Sequence, residues 1–277
     1  MKVLTICKMN QARSALAEAV IRRFLPNLEI SSAGVQAVSN TPYLTSVVQL
    51  SRKWGVAIAE GGSKTLDLSL ELIEADLVIC AEAWMKDDPR IQAADRQVVS
   101  YEDFASDSSF MPFDPETMTG RTLETELAKV AWVNLRAVRE LWSGFFQHEI
   151  VVVIPETEFQ TESAIAFARE RAADTSGLII DADVRSPIPG EFRRSGLSVG
   201  PISLAEGAHS FEVLSGIVEK SQPEAFLLSM DWRDLLADLC VDRPLYLVTA
   251  PQIIPTGPLP DAYLAAIWAS EIHVIRR

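Results

Sequence analysis

The chain has 277 residues, 48% of them hydrophobic and 23% charged, with a formal net charge of −13 at pH 7. That length suits one large or two ordinary domains, and the acidic balance argues against nucleic acid or an anionic membrane surface as main partner. The apolar runs fall far short of the roughly 20 residues a membrane span needs, so no membrane insertion is expected.

The opening MKVLTIC has no secretory core or cleavage site. Cys7, Cys80 and Cys240 show neither pairing nor metal-ligand spacing. A cytoplasmic chain needing no metal or other cofactor is therefore expected. His148, His209 and His273 stand alone and read as surface or packing residues.

In chain order, an apolar strand at 2–7 leads through a loop into a helix at about 13–25, closed by Pro26-Asn27. The strand LEISSAG ends at Gly34, and helices follow at about 43–55 and 68–75. DLVIC (76–80) and QVVSY (97–101) read as further strands. Leu123, Leu127, Val130, Asn134, Leu135, Val138 and Leu141 recur at three- and four-residue spacing, which predicts a helix. The second half opens on the strand IVVVI (150–154). A helix at 161–174, the strand GLIIDAD (177–183) and a Pro/Gly-rich turn region come next. Helices near 210–219 and 230–239, the strand LYLVTA (245–250), a helix near 260–269 and a last strand, EIHVIRR, complete the pattern. Alternation of this kind predicts two three-layer α/β domains, each with a mostly parallel sheet, at 1–147 and 148–277.

The stretch Cys7-Lys8-Met9-Asn10-Gln11-Ala12-Arg13-Ser14 lies between the first strand and the first helix. Such a loop can turn successive backbone N–H groups inward, and the helix adds its positive dipole end. Arg13 brings a planar fork that matches two phosphate oxygens. A cysteine at the floor of such a loop is favoured as thiolate. Ser14 can hydrogen-bond the sulfur, and Asn10 tolerates left-handed backbone. The other reading is a small apolar residue ending a buried strand with an incidental arginine. Cys80 and Cys240 have no arginine six residues on.

At these residues the sequence resembles the low-molecular-weight protein tyrosine phosphatases, whose first strand ends in C-x-G-N-x-C-R-S before a helix carrying A-E. Ala17-Glu18, SSAG (31–34), WGVAIAEGGSKTL (54–66), EADLVICAEAWM (74–85) and Asp114-Pro115 extend the resemblance over about residues 1–147. It implies Cys7 as nucleophile, Arg13 as phosphate ligand and Asp114 as general acid. Lys8, Met9, Asn10, Gln11, Ala12 and Ser14 would complete the phosphate-binding loop. The implied substrate is a phosphotyrosine protein or a similar aryl phosphate. The departures are Met9 for glycine, Ala12 for a second loop cysteine, Gly61 for a histidine, and no aromatic pair beside Asp114. Arsenate reductases share the loop but need further thiols, and Cys80 has no nearby partner.

The second half more weakly resembles bacterial tyrosine kinases and partition-type P-loop ATPases. Residues 155–163, Pro-Glu-Thr-Glu-Phe-Gln-Thr-Glu-Ser, hold no glycine or lysine where phosphate would be cradled, and three carboxylates would repel ATP. Thr249 takes the place of the Walker B aspartate, while Asp181 and Asp183 remain. The resemblance implies a degenerate nucleotide-binding domain, a bacterial tyrosine kinase as partner and a link to exopolysaccharide control; the other reading is an unrelated α/β domain. The α/β character of this half also suggests self-association through it. The alternative to an active phosphatase is a regulatory scaffold that binds without turnover.

Overall fold

The computed structural model describes residues 1–66, 72, 74–94, 96–105, 108–141, 148–183, 212–214, 224, 227–254 and 257–276. They form two compact units, Met1–Ser143 and Gly144–Arg277. Both are α/β with mostly parallel sheets.

In the first unit β1 (Lys2–Cys7), β2 (Glu29–Gly34), β3 (Leu77–Cys80) and β4 (Gln97–Ser100) make a parallel sheet in the order β2-β1-β3-β4. β1 is central, and Val3 to Cys7 are all buried. A strand covered on both faces needs a continuous apolar run, not an alternating one, and VLTIC supplies it. The chain passes from β1 outward to β2, then back across β1 to β3. The carboxyl end of β1 is thus the topological switch point, where open α/β sheets leave a crevice for a ligand.

Helix α1 (Arg13–Phe24) leaves that crevice and packs on β1 and β2. Ala15, Ala17 and Ala19, which cannot all share one face, are all buried, so the helix is covered on more than the side facing the sheet. Arg22 and Arg23 fall in its last turn, where positive charge suits the helix dipole. Helices α2 (Thr45–Lys53) and α3 (Pro89–Gln92) follow, the latter capped by the Asp88 carboxylate accepting from the Arg90 N–H. The long helix α4 (Gly120–Leu141) buries Leu123, Leu127, Val130, Asn134, Leu135 and Val138, and packs on α1.

The second unit holds β5 (Ile150–Pro155), α5 (Thr161–Thr175), β6 (Leu178–Ala182), β7 (Glu212–Leu214), α6 (Met230–Leu239) and β8 (Leu245–Thr249). A small antiparallel pair, β9 (Ile253–Ile254) and β10 (Gly257–Pro258), precedes α7 (Asp261–Ala265) and β11 (Glu271–Ile275). The main sheet runs β11-β5-β8-β6-β7, all parallel. Beyond β5, the Thr157 N–H and hydroxyl both bond Gln160 Oε1, closing the loop on itself. The Gln252 and Ile253 amides donate to the Pro155 and Glu156 carbonyls at 3.0 Å each, so β9 is laid along that loop.

One expectation is overturned. Where a helix was read near 210–219, residues 212–214 form β7 on the open edge of β6, because ladder hydrogen bonds to a waiting strand outweigh weak local helical preference. The remainder of that helix, the Pro/Gly-rich turn region, most of the helix at 68–75, Trp142 to Gly144 and the boundary near 147 lie outside the described residues.

Candidate active site

β1 ends at Cys7 and α1 begins at Arg13, so the intervening loop turns at the switch point. The Cys7 sulfur accepts the Asn10 N–H at 3.2 Å and the Ser14 hydroxyl at 3.1 Å. Asn10 holds the left-handed position (φ 54°). Its Nδ2 donates to Ser14 Oγ and Ser32 Oγ at 2.9 Å each, and its Oδ1 accepts the Lys64 N–H at 2.7 Å. Ser32 in turn donates to Glu18 Oε2 at 2.5 Å, and Arg22 bonds the other Glu18 oxygen. One buried chain of hydrogen bonds therefore runs from Glu18 to the sulfur, fixing the loop from beneath. Met9 keeps φ outside the left-handed region, so a side chain there imposes no backbone strain.

The loop closes over Gly34, whose position opposite Cys7 in the β1–β2 register allows no side chain. A Cβ there would lie 2.7 Å from Asn10 N and 2.8 Å from both the Lys8 carbonyl oxygen and the Met9 carbonyl carbon. These are backbone atoms and cannot rotate away. Gly34→Ala is expected to lift the loop and lower kcat/KM for any reaction at Cys7 by about 10²-fold, the order that a misplacement near 1 Å costs. Steady-state kinetics beside a melting curve check this; unchanged kinetics would show that the loop adjusts freely.

Arg13 is 3% exposed, and its Nη2 donates to Glu82 Oε1 at 2.6 Å and to Asp114 Oδ2 at 2.9 Å. Burial opposes the guanidinium charge, but the Cys7 sulfur, Asp114 and Glu82 outweigh it and raise its pKa above the ordinary arginine value. Glu82 follows β3, which pairs with β1 through Ile6 and Cys80. Burial would raise its carboxyl, yet hydrogen bonds from the Trp84 indole (2.6 Å) and Arg13 hold it below the usual range.

Cys7, Met9, Gln11, Ala12, Arg13 and Asp114 line a narrow pocket. A wider cleft of about 490 Å³ adjoins it, bounded by Lys8, Arg13, Glu82, Trp84, Phe113 and Asp114. The structure thus brings together every loop residue singled out in the sequence and, from the far end of the unit, Asp114. Sequence reasoning missed Glu82 and the two exposed aromatics at the mouth, Trp84 and Phe113. Phe113 is adjacent to Asp114 and was visible as a neighbour. Trp84 could be placed only once β3 was paired. Asp114 also caps a short turn, its Oδ1 accepting the Glu116 N–H at 3.1 Å. No group of three or more metal-ligating side chains occurs among the described residues. Nor is any described helix long and apolar enough to cross a membrane.

Compared with curated proteins, the chain is 33% identical over 84 residues to a probable low molecular weight protein-tyrosine-phosphatase, EpsP, of Ralstonia nicotianae. That alignment covers 30% of this chain and 57% of the relative. It is 35% identical over 77 residues to EpsP of Ralstonia solanacearum, covering 28% and 52%. The chain spans about half the length of these relatives. Among solved structures, the tyrosine phosphatase Wzb of Escherichia coli K30 aligns with TM-score 0.45 and 21% identity, over 50% of this chain and 97% of that one. AmsI of Erwinia amylovora aligns with TM-score 0.45 and 18% identity, over 52% and 93%. Within the first unit, residues 2–115 match the sequence model described as low molecular weight phosphotyrosine protein phosphatase.

Proposed function

We propose that the first unit hydrolyses aryl phosphomonoesters, phosphotyrosine in proteins foremost, through a cysteinyl-phosphate. The observation that carries this reading is the Cys7 sulfur receiving two hydrogen bonds beside the buried Arg13, with Asp114 bonded to that arginine. Donors aimed at sulfur favour the thiolate and later ease its departure. In the first step the thiolate attacks phosphorus in line, while Arg13 and the loop amides hold the non-bridging oxygens. The P–O bond breaks as Asp114 gives its proton to the leaving phenolate. In the second step Asp114 takes a proton from water, the hydroxide attacks phosphorus, and the P–S bond breaks to restore the thiolate and release phosphate. Trp84 and Phe113 offer apolar walls for an aryl ring at the cleft mouth.

Rapid acid quench of the full chain with p-nitrophenyl phosphate, followed by peptide mass analysis, tests this. Phosphate is expected on the peptide holding Cys7. Turnover with phosphate on another residue, or on none, would defeat the reading.

For the second unit, we infer a degenerate nucleotide-binding fold whose role is docking rather than ATP hydrolysis. Support comes from the glycine-free loop beyond β5, closed by Thr157 and Gln160 and overlaid by β9. On this reading a bacterial tyrosine kinase of the exopolysaccharide machinery is the partner.

A further inference from the structure

The segment carrying Asp114 is tied to α4 by a buried ion pair. Glu126 and Lys129 are neighbours on α4, each side chain 8% exposed, with Lys129 Nζ 2.7 Å from Glu126 Oε1. The second oxygen, Oε2, accepts the backbone N–H of Phe113 at 2.7 Å. Lys129 Nζ also stands 5.8 Å from the centroid of the Phe113 ring. A buried ion pair contributes little net stability, because desolvation offsets most of the attraction. What this pair adds is a strong acceptor for one particular N–H, that of Phe113, the residue immediately before Asp114.

Asp114 itself has two other ties, and both are weak anchors during reaction. Its Oδ1 bonds the Glu116 N–H inside the same turn, which moves with it. Its Oδ2 bonds Arg13 Nη2, a donor that the phosphate oxygens would claim on binding. The charge-assisted bond from Phe113 N to Glu126 is independent of the ligand.

From this geometry we propose that Glu126, held by Lys129, is a positioning residue for Asp114, fixing the height of the acid above the Cys7 sulfur. The inference rests on Asp114 being the proton donor. Two double variants separate positioning from simple stability. Glu126→Leu/Lys129→Met replaces the ion pair by apolar groups of similar volume, a change that folds tolerate, and removes the acceptor. Glu126→Gln/Lys129→Gln keeps an amide oxygen for the Phe113 N–H without buried charge.

The readout is kcat/KM, which reports the step that phosphorylates Cys7, for two esters. Phenyl phosphate needs its leaving oxygen protonated; p-nitrophenyl phosphate needs this far less. The Leu/Met variant is expected to lose about tenfold or more on phenyl phosphate, with little change on p-nitrophenyl phosphate. The Gln/Gln variant is expected to match wild type on both. Equal slowing of the two esters in the Leu/Met variant, or no slowing of either, overturns the proposal. Should that variant fail to fold, the Gln/Gln chain decides: a wild-type ratio between the esters supports the proposal, and a selective loss on phenyl phosphate overturns it. Asp114→Asn, run alongside, distinguishes the failures. If Asp114→Asn shows no bias against phenyl phosphate, the reading of Asp114 fails; if it does and the Leu/Met variant does not, only this inference fails.

Discussion

Cys7→Ser is expected to abolish aryl phosphate hydrolysis, lowering kcat/KM by about 10⁵-fold or more, the scale on which removing a nucleophile acts. A serine hydroxyl can still accept the Asn10 N–H and meet the Ser14 hydroxyl, so the loop should keep its shape and the melting temperature should move little. What disappears is the sulfur nucleophile. Oxygen in place of sulfur would need a strong base beside it, and the Asp114 carboxylate in the pocket wall is already engaged with Arg13. No other thiol can substitute. Cys80 is fully buried on β3, and burial pushes its thiol up to about 12, so it stays protonated and unreactive. Wild-type and Cys7→Ser proteins assayed with p-nitrophenyl phosphate check this. Turnover by the serine variant near the wild-type rate would place the nucleophile elsewhere.

The loop was legible in the sequence because its geometry is local. An apolar run, a left-handed asparagine and a helix start fall within a dozen residues, and each has its own chemical signature. Asp114 was legible only through resemblance, since Asp-Pro alone is a turn initiator. Glu82 was not legible as an arginine partner. It lies 69 residues from Arg13, and only the pairing of Ile6 with Cys80 carries it to the site. The Glu126 contact escaped for a similar reason: three residues after Leu123 and four before Val130 it borders the apolar face of α4, but nothing local shows that the Phe113 N–H folds onto it. β7 failed differently. Three residues, Glu212 to Leu214, carry too short a pattern to distinguish strand from helix, and the vacant edge of β6 decides.

Arg13→Lys is expected to cost about 10³-fold in kcat/KM, nearly as much as a neutral replacement, because charge alone does not do what this side chain does. Arg13 already gives one terminal nitrogen to two carboxylates, Glu82 at 2.6 Å and Asp114 at 2.9 Å. Its planar fork has further N–H donors to offer the phosphate oxygens while that contact is exchanged. A lysine ammonium is a compact point charge that cannot span two oxygens in one plane. In a site as buried as this one, with two carboxylates within reach, it would settle on Glu82 or Asp114 and leave the phosphate short of a ligand. Asp114, held in an ion pair, would then be slower to protonate the leaving group. Both faults predict a loss of inorganic phosphate as a competitive inhibitor as well as a loss of turnover. If Arg13→Lys kept wild-type kinetics and phosphate inhibition, phosphate recognition would reside in the loop amides, and Arg13 would be no more than a structural counter-charge for Glu82 and Asp114.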